Sequence, residues 1–172
     1  MPTDPLIVFL AVKSSDWIFG YPTEVAWIRP IDGATHTALV RTEPEWLKIP
    51  TWHFNEFPRA DMTRDEFMAQ GRPKDEVAAD LMRDLAGHQV YGRVIFQRWL
   101  NMLTKPNLIL LNDVDRLIYD TAVRQGWQGR EGVKRFQLAA REARLASNLD
   151  RDKALDDARE LLIYYKLARG GS

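Results

Sequence analysis

The chain has 172 residues, 45% of them hydrophobic, with 24 basic and 24 acidic side chains and no cysteine. That is enough apolar material for one domain with a sizeable core, expected over residues 1–172, and the missing cysteines exclude disulfides, thiolate chemistry and cysteine zinc sites. Zero net charge, with both signs mixed along the chain, removes the broad basic signature of a general nucleic-acid binder and leaves room only for a local basic groove.

The elements follow from hydrophobic pattern and punctuation. Leu6 to Val12 is an almost continuous apolar run, which predicts a strand buried on both faces. Ser14, Ser15, Asp16, Gly20 and Pro22 mark a turn region after it. Val25–Ile28 and Thr37–Arg41 read as two further strands, joined through Pro30-Ile31-Asp32-Gly33, where Asp-Gly is a strong turn signal. Residues 42–72, with Trp46, Trp52, Phe54, Phe57 and three prolines, read as a loop-rich excursion that ends in a short helix behind Thr63-Arg64-Asp65-Glu66, a capping box.

Pro73 then opens a helix to about Ala86, stopped by Gly87, with Val77, Ala78, Leu81, Met82 and Leu85 at helical spacing. Gln89–Gly92 is a short strand, Val94–Leu103 a helix and Leu108–Leu111 a buried strand. Three helices close the chain near Asp113–Gln125, Glu131–Ala146 and Arg151–Ala168, the last stopped at Gly170. This order predicts an α/β domain whose mixed five-stranded sheet starts with an antiparallel meander and continues through helical crossovers. No apolar run approaches the roughly 18–20 residues that cross a membrane, and neither a secretory signal nor a cysteine is present, which together suit a cytoplasmic protein.

Three stretches resemble the DEDD superfamily of proofreading 3′–5′ exonucleases, which have a ribonuclease H-like fold. Phe9 to Trp27 is similar to an opening in which one strand bears Asp-x-Glu and the next Ile-Glu-x-Gly; here Tyr21-Pro22-Thr23-Glu24-Val25-Ala26-Trp27 keeps the second part. Leu85 to Leu100 resembles the family's helix, short strand and Phe-Asp motif. Asp152-Lys153-Ala154-Leu155-Asp156-Asp157-Ala158 resembles His-x-Ala-x-x-Asp-Ala. No stretch is specific alone; their order and spacing carry the likeness.

The resemblance implies two divalent cations roughly 4 Å apart, held by carboxylates and served by a histidine base. This sequence departs at most of those positions. The first carboxylate falls on Ala11, the second on Lys13, the third near Gln97 and the histidine on Asp152; Asp157 alone matches. Alanine offers no ligand, and a lysine ammonium repels a dication. The expectation is a degenerate site with no metal cofactor; Mg2+ or Mn2+ belongs only to an alternative in which Asp157 joins Asp16, Asp156 or Glu24 in a remodelled site.

Asp157 is therefore either a surviving ligand or a carboxylate compensated by Lys13. Lys13, Arg93 and Lys153 either converge as a phosphate pocket, ammonium replacing metal, or are structural replacements. Trp17 and Phe19, above the old site, are candidates for stacking on terminal bases, as are Trp46, Trp52, His53, Phe54 and Phe57, against simple packing. His36, His53 and His88 show no metal-ligand spacing. Asn112-Asp113-Val114-Asp115 reads as a helix N-terminus, and Lys134, Arg135, Arg141 and Arg144 as a solvated helix face. The leading expectation is a non-catalytic module that engages single-stranded DNA or RNA ends, or a protein partner. A residual exonuclease and a pure interaction scaffold are the rivals, and a homodimer fits any of them.

Overall fold

The computed structural model describes residues 6–15, 20–48, 64–150 and 153–170. The elements in order are β1 (Ile7–Ser14), β2 (Pro22–Ile28), β3 (Thr35–Leu39), α1 (Arg64–Gln70), α2 (Lys74–Asp84), β4 (Gln89–Gly92), α3 (Gln97–Thr104), β5 (Asn112–Asp113), α4 (Val114–Arg124), α5 (Gly129–Ala146) and α6 (Ala154–Ala168). The sheet order is β3-β2-β1-β4-β5. β1–β2 and β2–β3 pair antiparallel, β1–β4 and β4–β5 parallel, giving the expected mixed α/β sheet flanked by helices.

β1 is central, and its side chains alternate between two covered faces. Val8, Leu10 and Val12 are buried with Val77, Leu81 and Leu85 and with Leu100 and Leu103 of α3. Ile7 and Phe9, on the other face, are buried with Val114, Ile118, Leu161 and Tyr165, the Phe9 and Tyr165 rings lying 5.3 Å apart. Ala11 and Lys13 continue that second face toward the start of α6. The pairs Ala11↔Ala26 and Lys13↔Glu24 lie directly across β1–β2, and the register shifts just after Lys13.

Several boundaries move. β1 runs on to Ser14, and Val94–Phe96 is a 3-10 turn before α3 starts at Gln97. The strand expected at Leu108–Leu111 is not one. Only Asn112–Asp113 pair with β4, and Leu108 and Leu110 are 57% and 75% exposed while Ile109 is buried. The reason is a side chain. The Gln97 amide donates to the Ile109 carbonyl at 2.9 Å and accepts from Leu111 N–H at 2.8 Å, taking the backbone groups that a neighbouring strand would have paired.

Candidate functional site

The N-terminal turn of α6 is fixed by the sheet. Lys153, its N-cap, makes no side-chain cap; instead Glu24 of β2 accepts from Ala154 N–H at 3.1 Å. The other Glu24 oxygen accepts from the Thr37 hydroxyl at 3.1 Å. A carboxylate at a helix N-terminus meets orphan N–H groups and the positive end of the dipole, so a 4% exposed glutamate is tolerable here. Glu24, offered by the sequence as a substitute ligand, thus joins α6 to β2 and β3.

One turn on, Lys13 Nζ lies 2.7 Å from Asp157 Oδ2, both side chains mostly shielded from water. Burial raises the Asp157 carboxyl above its ordinary value, and the hydrogen bond and charge of Lys13, with the charge of Arg93, only partly offset it. The neighbouring Glu160 carboxylate adds to the rise. Ala11 is fully buried in one cluster with Ala26, Ala154 and Ala158, so the position that the resemblance gives to the first carboxylate is packed against the small residues of α6.

The remaining candidates separate. Gln97 donates to Asn101 Oδ1 at 2.7 Å in addition to holding residues 109–111, so its amide is engaged locally. Arg93 lies 3.7 Å from Glu160 and also acts on Asp157. Lys153 pairs with Asp150 at 3.4 Å. Lys13 and Arg93 therefore share influence over one carboxylate, while the described ion pair of Lys153 points to the preceding loop. Asp156 accepts from Asp150 N–H at 3.0 Å and pairs with Arg159 at 2.8 Å. Asp16, Trp17, Phe19, Trp52, His53, Phe54, Phe57 and Asp152 lie outside the described residues.

Trp46 is buried, stacked on Tyr21 at 5.9 Å with the Lys74 ammonium over its ring, which makes it an anchor for its loop. His36 stacks on Trp27 at 5.1 Å, and His88 Nδ1 lies 3.0 Å from the Ala86 carbonyl. Asp113 caps α4 by accepting from the N–H groups of Asp115 and Arg116, as a helix N-terminus requires.

A polar cluster that sequence reasoning passed over adjoins Asp157. Glu160 accepts from the Tyr164 hydroxyl at 2.5 Å and pairs with Arg144 at 3.1 Å. Burial first, then Glu160, pushes the Tyr164 hydroxyl up to about 12. Arg144 is thus not part of a solvated face. The available signal was the spacing of Asp157, Glu160 and Tyr164, three and four residues apart along one face of the helix.

The described residues assemble no two-metal site. Such a site needs several hard oxygen ligands converging on one point. Here an ammonium occupies the Asp157 oxygen, Ala11 is sealed under α6, and no group of three or more His, Asp or Glu side chains capable of holding a metal occurs among the described residues. Among the described residues, too, no helix is long and apolar enough to cross a membrane.

No protein-family model matches the chain, and no curated protein matches it. A solved structure of a moderately thermophilic exonuclease I from Methylocaldum szegediense is similar, with a TM-score of 0.50 and 17% sequence identity over 95% of this chain. The chain spans 41% of that structure's length. At that identity the likeness concerns architecture alone. The chain has an exonuclease-like, ribonuclease H-like α/β fold.

Proposed function

We propose that this chain is a catalytically degenerate 3′–5′ exonuclease-like protein that acts as a non-catalytic binding module. The observation that carries the reading is the 2.7 Å Lys13–Asp157 ion pair, which places an ammonium against the one acidic residue retained from the resembled ligand set. The fully buried Ala11 beside it supports the same reading, because a carboxylate introduced there would lose water without gaining a described partner.

The neighbourhood of Lys13 and Arg93 favours contact with a phosphate-bearing single-stranded DNA or RNA end. Lys13 and Arg93 both bias Asp157, so an entering phosphate would take over cations already directed to one place. Their present engagement with Asp157 and Glu160 makes that contact modest and salt-sensitive. A protein partner is the reading left if no oligonucleotide binds.

The test is incubation of 5′-labelled single-stranded DNA and RNA with Mg2+ or Mn2+, beside an Asp157→Asn control, followed by oligonucleotide binding in EDTA at several salt concentrations. No shortening by either protein, with metal-independent binding that weakens as salt rises, is expected. Progressive 3′ shortening that disappears in Asp157→Asn would overturn the proposal in favour of a remodelled nuclease.

A further inference from the structure

Between α4, α5 and α6 lies a pocket of ≈ 420 Å³, lined by none of Ala11, Lys13, Gln97 or Asp157. Its volume lies in the range of about 300–1,000 Å³ typical of small-molecule sites. One wall is aromatic: Trp127 and Phe136 meet edge to face with centroids 5.7 Å apart, backed by Ile118 and Ala122 of α4.

The wall depends on a close backbone approach. Trp127 N–H donates to the Ala122 carbonyl at 3.0 Å, folding the chain back after α4. A Cβ on Gly132 would lie 2.7 Å from the Trp127 carbonyl carbon, so glycine there lets α5 pass against the turn that carries the indole.

The α5 side of the pocket is cationic. Arg141 lines it and makes no ion pair among the described residues. Arg144 lies 3.1 Å from Glu160, yet its buried Nε–H is not aimed at that oxygen and has no hydrogen-bond acceptor among the described residues. Its charge is compensated by Glu160, so Arg141 is the cation that the pocket offers to an anion. Asp115, on the α4 side, repels an anion and so directs a negative head toward α5.

We propose that this pocket binds a small aromatic carboxylate, its ring against Trp127 and Phe136 and its carboxylate toward Arg141 and Arg144. A flat apolar body matches the aromatic wall, and a carboxylate matches the planar donor fork of arginine. The pocket is lined by neither Lys13 nor Asp157, Arg144 connects it to the Asp157 neighbourhood through Glu160, and the proposal does not depend on activity there.

The experiment is isothermal titration of the full chain with 1-naphthoate and with the uncharged 1-naphthalenemethanol, with melting curves confirming that each variant folds. Naphthoate should bind about tenfold more tightly than the alcohol, the fold-change expected of one charge-assisted hydrogen bond. Arg141→Gln should remove that advantage and leave the alcohol unchanged. Gln137→Trp, an exposed position on the pocket lining, should abolish binding of both. No naphthoate binding up to millimolar concentration, equal affinity for the two probes, or binding untouched by Gln137→Trp would each overturn the proposal.

Discussion

Along α6, the turns near Ala154 meet the sheet through Ala11, Ala26 and Ala158, with Lys13, Glu24 and Asp157 supplying directed polar contacts. The turns near Tyr165 meet it through Phe9, Leu161 and Ala168, buried with Val114 and Ile118 of α4. One helix is therefore attached by hydrogen bonds and charge at one end and by apolar area at the other. The difference separates position from stability. Apolar burial supplies most of the attachment energy without fixing register, whereas the Glu24–Ala154 bond sets where the helix begins and Lys13–Asp157 which carboxylate faces the sheet.

The largest expected effect lies at the apolar end. Leu161→Ala deletes a 1% exposed side chain buried in one cluster with Phe9 and Tyr165 and should lower unfolding free energy by about 2–5 kcal/mol in urea titration. A loss under about 1 kcal/mol, the range of a mild surface change, would break the claim that this end carries the attachment.

A smaller effect is expected at the polar end. Lys13→Met leaves the Asp157 carboxylate mostly shielded without its cation and should cost about 1–3 kcal/mol, discounted because both side chains retain some water contact. Lys13→Met combined with Asp157→Leu should recover most of that loss, since two apolar groups of suitable size satisfy a pocket that one stranded charge does not. A double variant as unstable as the sum of the singles would show no coupling between the two side chains and break the claim that Lys13 compensates Asp157.

The smallest effect is a pH slope. Because the folded Asp157 carboxyl titrates above its ordinary 3.8, the native state holds this proton more tightly than the unfolded chain does. Stability therefore falls as pH rises through the window between the unfolded and folded midpoints, and the contribution is flat above it. Carboxyl-resolved NMR titration should place the Asp157 midpoint above 3.8, and Asp157→Asn should remove that part of the slope. A midpoint at or below 3.8 would mean that Lys13 outweighs burial.

Much of the fold was legible because it rests on local pattern. The apolar run of β1, the Asp-Gly turn before β3, Pro73 ahead of α2 and Asp113 ahead of α4 each mark an element that the chain forms near that place. The false strand at Leu108–Leu111 shows the limit. Its apolar letters match a buried strand, but strand pairing is a long-range contest, and the Gln97 amide, more than ten residues away, took the backbone groups instead. The site was legible only as a set of aligned letters: the likeness opposed Lys13 to Asp157, while the engagement of Gln97 and Glu24 and the Glu160–Arg144–Tyr164 cluster are properties of packing.

By itself the sequence determined an α/β chain with a mixed sheet and an exonuclease-like order of elements, because hydrophobic period, caps and turn residues act over short separations. It also determined that Ala11 and Lys13, where the resemblance would put the first two carboxylates, carry no acid. Only the tertiary structure decided that Lys13 meets Asp157 at 2.7 Å, that Glu24 starts α6, and that α4, α5 and α6 leave a pocket between them. Those outcomes depend on the registry of elements far apart in the chain, for Glu24 and Ala154 by 130 residues, and no local preference encodes that registry.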